Sequence, residues 1–425
     1  MRVAQNTGWL FFDRVAVMAA ALITGILIAR YLGPERYGQL SYSVAFATLF
    51  TAIAPLGLNN IVVRDIVDAP GAKDETLGSA FWLQFAAGIL AVCSAIVVTA
   101  RVNPGDQHIQ WMVGLVTAST LFTAFSAIDY WFQSKIQSRY AVLAKLAALI
   151  VIPLVKIGMI MAGAPVVWFA AAYTAEAALV ALGLVITYHI TGQSILRWRF
   201  RLAVAQRLLA DSWPLLVSNL AIVVSMRIDQ VLIGQILGDR PTGIYSVAAR
   251  VSELWLFVPV VIVTSAFPLL VEARQRDETA FYRALAKLFR AILLIALGAA
   301  VSISVLAYWI VIVLYGADFL EAVPIVRIYV WSGLVSSWGV VWGRWIVIEN
   351  RQKLVILSFA TSAAANVVLN LVLIPRFGVI GAAVATVIST FSSVIVSIAL
   401  YRPLVIVNTM RTAIWGERAR RPGYE

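Results

Sequence analysis

The chain has 425 residues, of which 61% are hydrophobic and only 13% charged, and its mean hydropathy is +0.89. A soluble domain of this size carries about 25% charged residues, so lipid is the solvent for most of this sequence. The net charge of +12 would point to nucleic acid in a soluble protein, but here the bases sit mostly in connections between apolar runs, where membrane topology accounts for them and no nucleic-acid partner is expected. The single cysteine, Cys93, excludes a disulfide within the chain and leaves no zinc spacing. Lying in LAVCSAIVV, it is expected to pack as a small core hydrophobe. Met1–Thr7 is short and the first apolar run outlasts a signal-peptide core, so no cleavable leader is expected.

Crossing a bilayer core takes about 20 apolar residues. Windows near 9–30, 38–62, 80–100, 110–133, 141–162 and 166–189 qualify in the first half. Windows near 213–237, 243–270, 291–315, 322–348, 354–374 and 378–401 qualify in the second. The expected fold is an all-α polytopic membrane protein with about 12 transmembrane helices in two pseudo-symmetric six-helix lobes. The lobes cover 1–190 and 213–402, with a cytoplasmic linker at 191–212 and a basic cytoplasmic tail at 403–425. The connections Gly163–Pro165 and Arg376–Phe377 are short enough for tight antiparallel hairpins. The longer ones, near 190–212 and 271–290, place Leu, Phe and Ala at helical spacing between bases and are candidates for amphipathic surface helices.

The bases set the orientation. With the N-terminus in the cytoplasm, 22 of the 33 Lys and Arg fall on the cytoplasmic side and five opposite. That bias places both termini inside.

The chain also repeats itself. LIARYLGPERYG at 27–38 aligns with LIGQILGDRPTG at 232–243, an offset of 205 residues. Leu27, Ile28, Leu32, Gly33 and Gly38 recur as Leu232, Ile233, Leu237, Gly238 and Gly243. Each turn follows the first helix of a six-helix set, so the copies keep one orientation and their axis runs along the membrane normal.

Charge inside the apolar windows is the chief functional signal, because a charged side chain in hydrocarbon costs at least ~2.5–3.5 kcal/mol. Asp13, Arg14 and Arg30 lie in the first helix, Asp129 in the fourth, Lys156 in the fifth and Glu176 in the sixth. Arg227 and Asp229 lie in the seventh, Arg250 and Glu253 in the eighth, Arg327 and Arg344 in the tenth. Asp13, Arg14 and Arg344 can snorkel to the interface, and Arg30 can cap carbonyls before its Gly-Pro turn. Lys156 and Glu176 flank the Gly163–Pro165 turn, and their four-residue offset, about 6 Å of axial rise, lets them pair. Arg250 and Glu253 share a face at i,i+3. Arg227 and Asp229 point to different sides, so Asp229 needs a partner from another helix or water. Arg30, Lys156, Arg227, Arg250 and Arg327 are candidate substrate-cavity bases. Asp129, Asp229, Glu176 and Glu253 are candidate ion-coupling acids. Asn366 and Asn370, one turn apart on one face, are either cavity residues or interhelical glue. Trp338 lies centrally in a Trp-rich helix, where its indole would either pack or stack on a sugar.

No GKS/T phosphate loop is present, no His/Cys/carboxylate spacing suggests a metal, and no large acidic loop suggests glycosyl transfer. Neither enzymatic activity nor a cofactor is expected.

Three stretches in order, IARYLGPERYGQLSYSVAF, RIDQVLIGQILG followed by TGIYSVAARVSE, and NVVLNLVLIPRFGVIGAAVATVIS, resemble the polysaccharide transporter family. These are the O-antigen-type lipid-linked oligosaccharide flippases of the multidrug/oligosaccharidyl-lipid/polysaccharide flippase superfamily. The resemblance implies two lobes around a central cavity with alternating access in the bacterial cytoplasmic membrane. It implies movement of an undecaprenyl-diphosphate-linked oligosaccharide to the outer leaflet, for lipopolysaccharide or exopolysaccharide, beside a polymerase or glycosyltransferase assembly. By position it carries Asp229, Arg250, Arg30 and Asn370 into the functional set. The alternatives are an ion-coupled multidrug exporter, a lipid II flippase, or a non-transporting membrane subunit.

Overall fold

The computed structural model describes the backbone of residues 2–348 and 353–400, with side chains described from residue 16 onward except 278, 347–356 and 397–400. Asp13, Arg14 and the tail at 403–425 therefore lie outside the described side chains. Most of the described residues are helical, and no strand occurs among them. This is what a bilayer demands of a chain without a closed barrel, since each helix satisfies its own backbone groups. Ten helices among the described residues are long and apolar enough to cross a membrane. Two of these, Ala16–Thr51 and Leu357–Val396, each span two of the expected windows and contain a glycine outside the helical region, Gly33 and Gly378.

Contacts divide the chain into two compact units, Met1–Val223 and Val224–Glu425. The first unit contains α1 (Arg2–Thr51), α2 (Asn59–Asp68), α3 (Lys73–Val102), α4 (Gln107–Ala118), α5 (Thr120–Thr123), α6 (Ser126–Ser134), α7 (Ser138–Met161), α8 (Val166–Ile190) and the first part of α9 (Leu202–Leu237). Its core gathers Leu58, Ile66, Leu77, Phe132, Tyr188 and Leu208. Two expected spans are interrupted. The window at 38–62 stops as a helix at Thr51, turns through Leu56 and Gly57 at positive φ, and resumes at Asn59. The carbonyl of Ala52 left open there accepts from Asn219 Nδ2 at 3.2 Å. The window at 110–133 breaks where Ser119 and Thr120 donate back to the carbonyls of Val116 and Thr117, each at 2.6 Å. Such back-bonding competes with the helical ladder and bends it.

The segment expected as a linker, 191–212, packs within the first unit. A short 3₁₀ turn at Ile195–Arg197 leads into extended backbone and then α9, so the basic amphipathic stretch forms the opening turns of a long helix. Arg64 of α2 bonds Asp211 at 2.7 Å, and Arg207 bonds Asp65 at 2.8 Å. Asp211 and Asp65 hold the Arg64 guanidinium above its ordinary value by hydrogen bonding and charge. Cys93 is exposed, among exposed Ile89, Leu90, Ile96 and Val97, so it lies on an outward apolar stripe of α3 and not in the core. In a membrane protein the outward face is apolar too, which is why the local composition misdirects.

The second unit contains the end of α9, α10 (Asp239–Glu253), α11 (Phe257–Arg276), α12 (Glu278–Leu314), α13 (Ala322–Ile348) and α14 (Lys353–Leu400). The sequence at 271–290 again forms helix ends and no separate surface helix. Asp277 caps α12 by accepting from Ala280 N at 3.2 Å. Phe281, Phe289, Ile292, Val341 and Trp345 form a core between α12 and α13. Past Pro375, α14 turns back on itself at Gly378. Ser362 then donates to the carbonyl of Ser389 at 2.9 Å, and Gly381 lies so close to the Leu373 carbonyl that a side chain would not fit.

The aligned glycines of the repeat share one backbone conformation. Gly33 has φ 70° and ψ 174°, and Gly238 has φ 91° and ψ −169°. This region is essentially reserved for glycine, so the repeat extends from residue identity to backbone geometry.

Candidate functional site

The most elaborate polar arrangement in the apolar interior lies in the second unit. Asp229, on α9, is only 1% exposed. Its Oδ2 accepts from the Tyr245 hydroxyl of α10 and lies 3.4 Å from Thr386 Oγ1 of α14, while its Oδ1 accepts from Gln230 N at 2.8 Å. The two hydroxyls are 3.3 Å apart. A carboxyl group in a membrane interior is thus met by donors from two other helices, as the i,i+2 spacing from Arg227 requires.

The polar chain continues along α14. Ser389 Oγ donates to the Thr386 carbonyl at 3.0 Å and accepts from Asn366 Nδ2 at 3.1 Å. Asn370 Nδ2 donates to the Asn366 carbonyl at 2.8 Å and to its Oδ1 at 3.0 Å. Asn370 is fully buried, and among the described residues its Oδ1 has no hydrogen-bond partner. An unsatisfied buried acceptor costs about 1–3 kcal/mol, so this amide oxygen has spare capacity for a donor or a cation. On the other side of Tyr245, the ring of Tyr329 on α13 packs edge-on at 5.8 Å between centroids. The Tyr329 hydroxyl donates to Glu253 Oε1 at 3.0 Å. Two acids in the same unit are therefore each held by one of a pair of contacting tyrosines.

Of the residues singled out by sequence, Asp229, Asn366 and Asn370 come together here, with Glu253 one tyrosine further on. Arg227 and Arg250 are half-buried on the same two helices. Arg327 is exposed and donates to the Ser304 carbonyl at 3.3 Å, and Arg344 reaches Thr264 Oγ1 at 3.4 Å and lies over Phe267. Trp338 packs against Phe289 with centroids 4.3 Å apart and the rings tilted by 36°. In the first unit, Lys156 is buried and lies 3.4 Å from Glu176, under the ring of Tyr173. Asp129 pairs with Lys145 of α7 at 2.7 Å and accepts from Gln133 at 3.2 Å, so this acid has a base beside it. Arg30 is exposed on α1.

Tyr245, Thr386, Ser389 and Tyr329 were missed. Tyr245 had a visible cue. It lies seven residues after Gly238, and Asp229 lies nine before, so a hairpin at that glycine brings the two to similar depth. Thr386 and Ser389 had none, because a hydroxyl in a membrane helix ordinarily bonds its own backbone.

The model of the polysaccharide biosynthesis protein family matches residues 3–274. A probable low-salt glycan biosynthesis flippase, Agl15 of Haloferax volcanii, is 23% identical over 399 residues, covering 92% of this chain and 81% of that protein. A probable flippase of the same organism, AglR, is 30% identical over 168 residues, 38% of this chain and 35% of that protein. Among solved structures, an inward-facing MATE multidrug resistance transporter of the MOP superfamily superposes with TM-score 0.74 at 13% identity, covering 92% of this chain and 95% of its own. The lipid II flippase MurJ in an inward closed conformation gives TM-score 0.70 at 14% identity, covering 97% of this chain and 91% of its own. At these identities the structures speak for the fold, which is the two-lobed all-α fold of the MOP transporters. The family match covers well over half of the sequence, and the chain belongs to the polysaccharide biosynthesis protein family.

Proposed function

We propose that this protein is a flippase for lipid-linked oligosaccharides in surface polysaccharide biosynthesis, moving an undecaprenyl-diphosphate-linked glycan from the cytoplasmic to the outer leaflet by alternating access. The observation that carries the reading is the buried Asp229–Tyr245–Thr386 cluster in a membrane chain of a polysaccharide biosynthesis family. The name of the relative Agl15, a glycan biosynthesis flippase, supports the same substrate class. The lipid tail stays in the bilayer while the head group crosses, so the protein supplies a polar path and a bias, with no bond made or broken. A diphosphate calls for charge-assisted donors, and the guanidinium fork of arginine suits it. Arg250 and Arg227 are the first candidates, then Arg327 and Arg30, with Lys156 and Trp338 further out.

Asp229 is the candidate coupling acid. It accepts from hydroxyls of two other helices, and an amide oxygen with spare capacity lies further along the same polar chain. Such an oxygen-only site takes a proton or a monovalent cation. Loading it changes the bonds among α9, α10 and α14, and a ligand that prefers one state shifts the equilibrium by its differential affinity. Glu253 with Tyr329 is a second station, while Asp129 and Glu176 already have basic partners. The resemblance to the polysaccharide transporter family supports a bacterial inner membrane, and the bias of basic residues supports two cytoplasmic termini. A polymerase or glycosyltransferase assembly is the expected neighbour.

The MATE-like fold favours a second reading, a multidrug exporter. That reading wants an acidic cavity for cationic drugs, which Arg227 and Arg250 oppose. Complementation separates the two. In a flippase-null strain, Asp229→Ala and Arg250→Ala each lose most surface glycan at normal protein level, and Arg250→Lys is intermediate. Full surface glycan with both alanine variants refutes the site. Drug efflux without glycan export by the unmodified protein refutes the substrate class.

A further inference from the structure

Between α8 and α9 the chain leaves the helical pattern and runs as a strap across the first unit. Its backbone is anchored. Arg199 N donates to the Asp74 carbonyl at 3.0 Å, and Arg201 N donates to Ser79 Oγ at 3.1 Å. A Cβ on Gly78 would lie 2.6 Å from Arg199 N and O, so the strap is pressed directly onto α3. Trp198 turns inward, with its ring 5.6 Å from Phe81 and 5.8 Å from Tyr188, and its Nε1 donates to the Tyr188 hydroxyl at 3.3 Å.

What the strap turns outward is of two kinds. Leu196 is 91% exposed, Ile190 77%, Leu202 62% and Phe200 50%. Interleaved with them, Arg197 and Arg199 are exposed, and among the described residues neither has a carboxylate at salt-bridge distance. Arg201 is neutralised by Glu75 at 2.9 Å, and Lys73 is held by Gln193 at 2.5 Å. The strap lies where three candidate membrane spans begin or end, at Pro70, Ile190 and Leu202. It therefore sits at the level of the lipid head groups.

We infer that residues 195–202 form an in-plane membrane strap that binds anionic phospholipid, with Arg197 and Arg199 on the phosphates and Leu196 and Phe200 in the acyl boundary. In water, four large apolar side chains on an immobilised backbone would be an unexplained exposure. At the interface each residue type meets its own solvent: apolar side chains enter the boundary region while arginine stems lie along it and carry the guanidinium to the head groups. The unpaired arginines supply charge complementarity to an anionic lipid, and juxtamembrane bases near such a surface are each worth about 1 kcal/mol. The inference stands whether or not the protein is a flippase.

The lone Cys93 makes the test simple. In a Cys93→Ser background, Leu196→Cys carries a nitroxide, with the same nitroxide free in the aqueous phase as control, in full-length protein in phosphatidylglycerol or phosphatidylcholine vesicles. In phosphatidylglycerol the label at 196 should collide with oxygen several-fold more than with a water-soluble nickel chelate, and the control the reverse. Arg197→Gln with Arg199→Gln should cut retained phosphatidylglycerol several-fold by native mass spectrometry, with restoration by the double lysine variant. Unchanged retention in the glutamine variant, or a label at 196 as water-accessible as the control, overturns the proposal. Retention of undecaprenyl phosphate without phosphatidylglycerol also overturns it, by making the strap a substrate station.

Discussion

The bond between Tyr245 and Asp229 makes the sharpest quantitative prediction, because both side chains are enclosed and water cannot replace either. A hydrogen bond to a charged partner contributes about 1.5–3 kcal/mol, and a buried group left without its partner costs about 1–3 kcal/mol. Tyr245→Phe removes the donor, and Asp229→Ala strands the hydroxyl. The double variant removes both and strands neither member of the pair, so its cost falls below the sum of the singles. Thr386 Oγ1, 3.3 Å from the Tyr245 hydroxyl, can take over part of the bond, which puts the coupling near the lower end, about 1.5 kcal/mol. A unit of this size shifts its midpoint by roughly 2–4 °C per kcal/mol, so the double variant should melt on the order of 3–6 °C above the additive expectation. The assay is thermal unfolding of the four purified proteins in one detergent, with glycan export measured alongside. Additivity within about 0.5 kcal/mol, the behaviour of independent sites, would refute the contact as an energetic link.

Two further predictions test the frame around the site. Ala at Gly33 or Gly238 meets nothing within 4 Å, so its cost is backbone strain alone, about 1–3 kcal/mol and alike in both copies; clearly unequal losses in thermal stability would deny that the two turns are equivalent. Arg64→Ala should cost no more than about 1 kcal/mol, because the Arg64 side chain is 54% exposed and exposed pairs are weak. Since Asp211 and Asp65 raise the Arg64 pKa, its contribution is fully present below the unfolded-state value and is lost only above it, so the difference from the unmodified protein should stay constant from neutral to alkaline pH.

Sequence periodicity carried the fold a long way because a bilayer leaves few choices. Apolar windows had to become helices, and Gly33, Gly238 and Gly378 marked the breaks because φ there is positive. The Lys156–Glu176 pair followed from axial rise across one turn and is found at 3.4 Å. Spacing also dictated that Asp229 look to another helix. What spacing could not do was choose between neighbours once helices assembled. Glu253 accepts from Tyr329, 76 residues away, a partner that no spacing along its own helix names. Side chains bonding to backbone were equally silent: Ser119 and Thr120 break a span that hydropathy reads as continuous. The strap at 195–202 combined both difficulties, since its arginines and apolar residues fit a helical template while contacts with Gly78 and Ser79 hold residues 199 and 201 out of a helix.

The repeat shows how one backbone frame can hold two kinds of content. Position 229 corresponds to Thr24, whose hydroxyl donates to the Ala20 carbonyl of its own helix at 2.6 Å. Position 245 corresponds to Leu40, buried and apolar. In the first copy, then, the aligned pair offers no side-chain hydrogen bond between helices, and in the second it is a carboxyl group and a phenol joined across the turn. A group that can gain or lose a proton or cation alters helix–helix bonds only if its bonds cross between helices. Asp229 meets that condition and Thr24 does not. If the protein couples transport to an ion through this hairpin, the coupling is therefore lodged in the second copy, and placing Asp at 24 alone would not rebuild it, because the position aligned with Tyr245 is Leu40, which has no hydroxyl to donate.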